Sequence, residues 1–330
     1  MIRIGISGWR YAGWRGNFYP EKWPQRRELE YASRKLSTIE LNGSFYSLQK
    51  PQYYAQWSAE TPAGFLFSVK APRYITHIRR LRDIDAPLAN FFASGLLILA
   101  EKLGPILWQF PPSFKFDAEL FESFLAQLPH DTVEALALAG KHDEWMSERV
   151  GDTLIELRSG RHSLRHAVEI RHESFIDPAF VALLRKYGVA LVVADTAGKW
   201  PYKEDVTADF MYLRLHGDKK LYESGYSDKA LARWAQRVSD WHSGGAPRDA
   251  HLIDVAARVA PRQRDVFCYF DNDFKVRAPF DAQALASRLG LQWTPPLSET
   301  STVATPAKSA MKRRGSKANA SRPSARTARI

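Results

Sequence analysis

Cysteine is nearly absent. A single one, Cys268, occurs in 330 residues, so no internal disulfide can form and the chain fits a reducing compartment. Its position in the apolar run VFCYF gives it the character of a small core residue. Uninterrupted apolar runs of the roughly 18 residues needed to span a membrane are also missing. The longest candidate, FFASGLLILAEKLGPILWQF, is broken by Glu101, Lys102 and Gly104-Pro105. The opening MIRIGISGW lacks the basic-then-apolar order of a secretion signal, and a cytoplasmic location is expected. No GxGxxG turn, P-loop, GxSxG elbow, HxH or HExxH spacing occurs, which removes the usual signatures of nucleotide cofactors, serine hydrolases and zinc.

Acidic residues are lacking from Thr300 to Ile330, where eight basic residues stand: Lys308, Lys312, Arg313, Arg314, Lys317, Arg322, Arg326 and Arg329. Removing those eight from the 47 Lys and Arg leaves 39 basic against 36 acidic residues, so a net charge of +11 falls to +3 over residues 1–299. The segment is rich in Ser, Ala, Thr and Pro and has few large apolar side chains to offset the entropy of ordering. Residues 295–330 are expected to be a disordered basic tail, either a solubilising extension or an arm (300–330) for nucleic acid or another polyanion. Residues 1–294 are expected to be one domain.

Within that domain, eight short apolar or alternating runs are separated by amphipathic stretches, the order that builds a parallel sheet with helices outside. The strands are expected at 2–7, 38–42, 65–70, 106–110, 166–171, 190–195, 210–216 and 266–271. Helices are expected in RRELEYASRKL, PQYYAQWSAE, APLANFFASGLLILAEKL, DAELFESFLAQL, DPAFVALLRKYG, SDKALARWAQRVSDWHSG and DAQALASRLG.

Side chains alternate between the two faces of a strand. One parity is apolar (Ile39 and Leu41, Phe67 and Val69, Val168 and Ile170, Leu213 and Leu215) and suits packing under helices. The other turns polar towards each strand's end: Ser7, Glu40 and Asn42, Ser68 and Lys70, Gln109, Glu169 and Arg171, Asp195, Arg214 and His216, and Asp271. An open sheet gathers polar ends at one switch point. Polar ends on all eight strands are what the functional face of a (β/α)8 barrel requires. The expectation is a single α/β TIM-type barrel.

The segments SGWRYAGWRGNFYP (7–20), STIELNGSFY (37–46), FLFSVKAPRYITH (65–77), LGPILWQFPPSF (103–114), HAVEIRHESF (166–175), VVADT (192–196), MYLRLHG (211–217) and CYFDND (268–273) closely resemble the domain of unknown function 72 family, over roughly residues 2–290. The resemblance implies a TIM-type barrel and no established reaction. Two departures are visible: the family's common Asn-Asn pair after the last strand reads Asp271-Asn272, and Ser243–Gln263 looks inserted, in a position expected to reshape one edge of the mouth.

The polar residues crowd four carboxylates and four potential cations together, so strong mutual influence on their protonation is expected. Glu169 is the first choice for general base, with Lys70 as acid, electrophile or Schiff-base nucleophile, and Glu40 and Asp195 as further catalytic candidates. Arg171, Arg214 and His216 suit a phosphate or carboxylate. Asn42, Gln109, His77, Asp271 and Asn272 complete the candidate pocket with Trp9, and Tyr222 and Tyr226 read as a mobile lid. Trp14, Phe18 and Tyr19 read as a second apolar layer. No cofactor is expected. Mg2+ or Mn2+ held by Glu40, Glu169, Asp195, His216 and Asp271 is the alternative, against which Lys70, Arg171 and Arg214 already supply positive charge. Three readings remain open: an acid-base enzyme acting on a small anion, a nucleic-acid-binding or endonuclease-like protein, and a non-catalytic ligand sensor.

Overall fold

In the computed structural model, residues 1–150, 161–217, 225–256, 261–272, 276–293 and 295 are described. The expected tail at 300–330 and Tyr222 lie outside them. Eight parallel strands, β1 (Ile2–Ser7), β2 (Thr38–Leu41), β3 (Leu66–Lys70), β4 (Leu103–Gln109), β5 (His166–Glu169), β6 (Ala190–Asp195), β7 (Phe210–Leu215) and β8 (Asp265–Phe270), follow one another in chain order, and β8 closes on β1. The chain is therefore an eight-stranded closed parallel barrel, as the alternation requires.

The alternation also decides what lies on each side of the sheet. Ile39, Phe67, Val69, Trp108, Val168, Leu213 and Leu215 are buried in the layer between strands and helices. A separate interior cluster contains Leu66, Leu107, Ala167, Ala190, Val192, Ala194, Phe210, Tyr212, Phe267 and Tyr269. Small and large residues alternate around the interior so that it fills. Gly5 is required there, because a Cβ would come within 2.0 Å of the Thr38 carbonyl oxygen. Two hydroxyl pairs cross the interior: Thr38 Oγ1 with Tyr269 OH at 2.9 Å, and Ser68 Oγ with Tyr212 OH at 2.6 Å.

The helices are α1 (Glu28–Lys35), α2 (Gly43–Tyr46), α3 (Pro51–Glu60), α4 (Asp85–Ala93), α5 (Ala118–Ala126), α6 (Thr132–Ala139), α7 (Glu144–Val150), α8 (Pro178–Lys186), α9 (Asp228–His242) and α10 (Ala278–Arg288). The apolar stretch 86–103 is not one helix. Gly95, at φ 108°, ends α4, and a 3-10 segment, Leu96–Lys102, follows in a new direction. A side chain there would meet Pro51 Cα at 2.6 Å, so glycine both turns the chain and admits α3. The helices α2, α6 and α7 were not expected. The first is too short to show a period, and α6 and α7 are signalled mainly by the caps Asp131 and Asp143, whose side chains accept backbone N–H groups. No helix among the described residues is long and apolar enough to cross a membrane.

The insertion before β8 corrects an expectation. It leads into Asp265, which pairs with Phe210 at the start of β7, so it lies at the N-terminal end of the strands and not at the mouth. There it docks on the helix-free connection between β6 and β7. His251 N–H donates to Glu204 at 2.9 Å, Ile253 and Asp254 N–H groups donate to Asp205 at 2.8 and 2.9 Å, and Arg185 pairs with Asp254 at 2.7 Å.

Candidate active site

Arg214, inward-facing near the end of β7, is the centre around which the polar strand ends assemble. It is 1% exposed. Its Nε and Nη2 clamp the two oxygens of Glu40 (β2) at 3.1 and 2.9 Å, Nη1 donates to Glu169 (β5) at 2.7 Å, and Nη2 reaches Asp271 at 3.0 Å. Burial opposes the charge of Arg214, but Glu40, Glu169 and Asp271 outweigh it and raise its pKa well above the ordinary value. Tyr212 OH donates to Glu40 at 2.6 Å, and Ser7 Oγ also donates to Glu40. His216, fully buried, places Nδ1 3.2 Å from Asp271.

Glu169 is held by donors on both oxygens. Beside the Arg214 contact, its other oxygen accepts from Arg171 Nε at 2.8 Å and Gln109 Nε2 at 2.9 Å. Burial would raise its pKa, yet Arg171 and Arg214, helped by His216 and Lys70, hold it well below the usual carboxylate range. Such a carboxylate stays ionised but is a weak base. Asp271 is similarly depressed: burial opposes ionisation and Arg214 and His216 overcome it.

Lys70, at the end of β3, is built differently. Its ammonium lies 4.0 Å from the centre of the Phe45 ring, and Ser44 Oγ, donating to the Lys70 carbonyl at 2.7 Å, ties α2 in place beneath it. Among the described residues, Nζ has no carboxylate within ion-pair distance and no hydrogen-bond acceptor. Burial and the neighbouring charge of Arg214 lower its pKa to about 8, against the opposing pull of Glu169, Glu40 and Asp271. His77 meets the same Phe45 ring edge-on at 5.1 Å, and burial with the charges of Lys70, Arg171 and Arg73 lowers its pKa to about 4. The guanidinium carbon of Arg171 lies over Trp200, 3.7 Å from the ring centre. Beyond its Nε bond to Glu169, neither Nη is hydrogen-bonded to a described residue. Asn42 follows β2 with a buried Oδ1 that has no partner among the described residues.

Several candidates fall elsewhere. Asp195 has the parity of Leu215, its register partner, so it leaves the interior and accepts from Tyr226 OH at 3.0 Å. Tyr226 is 4% exposed and also takes the Gly217 N–H, which makes it a buried strut and not a lid. Asn272 donates to Asp281 at 2.8 Å, at the root of α10. Trp9 packs against Trp57 of α3 in the outer apolar layer with Trp14, Phe18 and Tyr19. Arg214 and His216, read as anion ligands, are enclosed by the protein's own carboxylates. The sequence reading passed over Tyr212, whose parity with Arg214 was legible, and Trp200, whose loop position carries no signal.

Of the carboxylates that would have to hold Mg2+ or Mn2+, Glu40, Glu169 and Asp271 bond Arg214 and Asp195 turns outward to Tyr226, and no group of three or more His, Cys, Asp or Glu suited to a metal occurs among the described residues. Beside the site, Phe45 also walls a groove of about 510 Å3 shared by Tyr46, Leu48, Ile75, Pro87 and Trp145.

Known proteins carry the same framework. The family model described as "Protein of unknown function DUF72" matches residues 3–306. The UPF0759 protein YunF of Bacillus subtilis (strain 168) is 34% identical over 315 residues, covering 81% of this chain and 100% of that protein. The UPF0759 protein YecE of Escherichia coli (strain K12) is 24% identical over 261 residues, covering 78% and 88%. A crystal structure of a DUF72 family protein from Thermotoga maritima MSB8 superimposes with a TM-score of 0.67 at 24% identity, covering 88% of this chain and 99% of that one. Another, from Enterococcus faecalis V583, gives 0.61 at 18% identity, covering 90% and 98%. The structural likenesses concern the fold, and the family match extends over nearly the whole chain: this protein belongs to the DUF72 family.

Proposed function

We propose that the barrel mouth is the active site of an enzyme that performs acid-base chemistry on a small anionic substrate, phosphorylated or carboxylated. The observation that carries this reading is a set of cationic donors with no acceptor among the described residues, Lys70 Nζ and the Nη atoms of Arg171, beside a cluster whose three carboxylates all bond Arg214. Stacking on Trp200 and the bond to Glu169 hold the guanidinium in one orientation, which lowers the cost of presenting it to an anion. Lys70 and Arg171 both lower the pKa of His77, which supports a shared region for the three. Proton transfer falls to Lys70 in preference to Glu169: a group with a pKa of about 8 exchanges protons near neutral pH, whereas Glu169 is held ionised and serves to orient Arg171 and Arg214.

Binding is tested by thermal unfolding with inorganic phosphate, pyrophosphate and small carboxylates, since a ligand of the folded state raises its stability by mass action. Stabilisation that is lost in Arg171→Ala supports the reading. Equal stabilisation of both proteins, or of neither, counts against it. Saturable binding with no turnover of any phosphorylated or carboxylated compound would make the protein a sensor.

A nucleic-acid reading draws on the groove beside Phe45, where Tyr46, Tyr74 and Trp145 are 72%, 51% and 53% exposed and Arg79 stands nearby. Exposed rings beside cations suit stacked bases, and residues 300–330 would add phosphate contacts. Quenching of Trp145 fluorescence by a short single-stranded oligonucleotide, weakening steeply with salt, would favour it.

A further inference from the structure

Resting on the anion-binding reading of the mouth, we propose that Lys70 is a covalent nucleophile and that the substrate class is a small aldehyde or ketone bearing a phosphate or carboxylate, which it engages as a Schiff base. A second buried lysine provides the internal contrast. Lys102 is 8% exposed, like Lys70, but its ammonium donates to the Ser58 carbonyl at 2.6 Å, the Thr61 carbonyl at 2.7 Å and Thr61 Oγ1 at 3.2 Å. Those oxygens take the place of water around the Lys102 ammonium, although burial still lowers its pKa. Among the described residues Lys70 receives no such acceptors; it has the face of Phe45 and a small exposed fraction. The carboxylates that would neutralise it are held by Arg214 instead. With no acceptor and no ion-pair partner among the described residues, this amine is less strongly held in its protonated form, and its lone pair is available once the proton is lost.

The step balances without any oxidant or reductant. The ammonium gives up one proton, and the neutral Nζ attacks the carbonyl carbon. A C–N bond forms as the C=O π pair moves to oxygen, and a second nitrogen proton passes to that oxygen to give the carbinolamine. The C–O bond then breaks, oxygen leaves as water with the proton first released, and an iminium forms. One ammonium and one carbonyl become one iminium and one water. The charge is conserved and stays within the field of Glu169, Glu40 and Asp271, which act on Lys70 without binding it. Arg171 takes the substrate's anionic group.

The test is reductive trapping. The full-length protein is incubated with glyoxylate, pyruvate and dihydroxyacetone phosphate in turn, reduced with sodium borohydride, and mapped by peptide mass spectrometry. The expected result is an adduct equal to the probe plus two hydrogens less one water, concentrated on Lys70, at least ten-fold enriched over exposed Lys22, Lys35 and Lys50 and absent from Lys70→Arg. Enrichment that disappears in urea confirms that the folded site is responsible, even if Lys70→Arg proves unstable. No adduct at Lys70 with any of the three probes, or labelling no greater than at the exposed lysines, overturns the proposal. Phosphate stabilisation measured in parallel separates the two failures: if it persists and depends on Arg171, the anion site stands and only the nucleophile is wrong; if it too is missing, both readings fall.

Discussion

Arg214 Nη1 donates to Glu169 Oε2 at 2.7 Å, with the two side chains 1% and 0% exposed. The same guanidinium binds Glu40 and Asp271, so it is the cation that lets three carboxylates share the barrel's end. Replacing it by Met leaves Glu40 and Glu169 buried without that cation and Asp271 part-buried beside them. Removing one partner of a buried pair costs about 3–5 kcal/mol, and Arg214→Met is expected to lose at least that in urea unfolding at pH 7. The loss should shrink as pH falls and the carboxylates protonate. A variant within about 1 kcal/mol of the original would contradict this account of the cluster.

Lys70 predicts the opposite sign. Its folded pKa of about 8 lies below the ordinary 10.5, so folding disfavours its charged form, by about 3 kcal/mol at most for a shift of this size. Lys70→Met should therefore raise stability at pH 7 by about 1–3 kcal/mol, while abolishing any turnover. Between pH 8 and 10.5 the unfolded chain binds more protons than the folded one, so the unsubstituted protein gains stability with rising pH and the difference closes. Destabilisation by Lys70→Met in a thermal melt would show instead a structural cation.

Acid sensitivity is expected from His166. Buried at the start of β5, it accepts from Trp108 Nε1 at 3.0 Å and donates from Nε2 to the Pro129 carbonyl at 2.7 Å, and burial lowers its pKa to about 4. The unfolded chain then binds the extra proton between pH 6.5 and 4, so stability falls as pH drops through that window, by up to about 3 kcal/mol from this residue. His77 adds a smaller part in the same direction. His166→Gln should flatten the pH dependence of unfolding, whatever its effect on stability at pH 7. An unchanged slope would exclude His166 as its source.

Tyr226 joins Asp195 to the Gly217 N–H through one hydroxyl. Tyr226→Phe leaves a buried donor and a carboxylate oxygen without that partner, a loss of about 1–3 kcal/mol in chemical denaturation. Phosphate affinity should be unchanged, because the ring is a strut beneath the β7 end. A large loss of affinity without a loss of stability would restore it to the binding surface.

Period-two alternation determined the strands, the barrel and the inward placement of Glu40, Lys70, Gln109, Glu169, Arg214 and Asp271, because a strand has only two faces and a closed sheet gives each a single destination. The chain's own chemistry likewise determined that Cys268 and the Trp14, Phe18 and Tyr19 group would be buried. Tertiary structure alone decided which charges pair. Spacing along the chain could not reveal that the Arg214 fork reaches three carboxylates from three other segments, that Lys70 is left facing a ring, or that Trp200 comes from a loop to support Arg171. It also corrected Asp195, where one residue of parity at a strand's end separates the mouth from the outer layer, and the 243–263 insertion, whose place follows from which end of β8 it enters. Partner choice depends on distances across the closed barrel, and those exist only once the last strand has met the first.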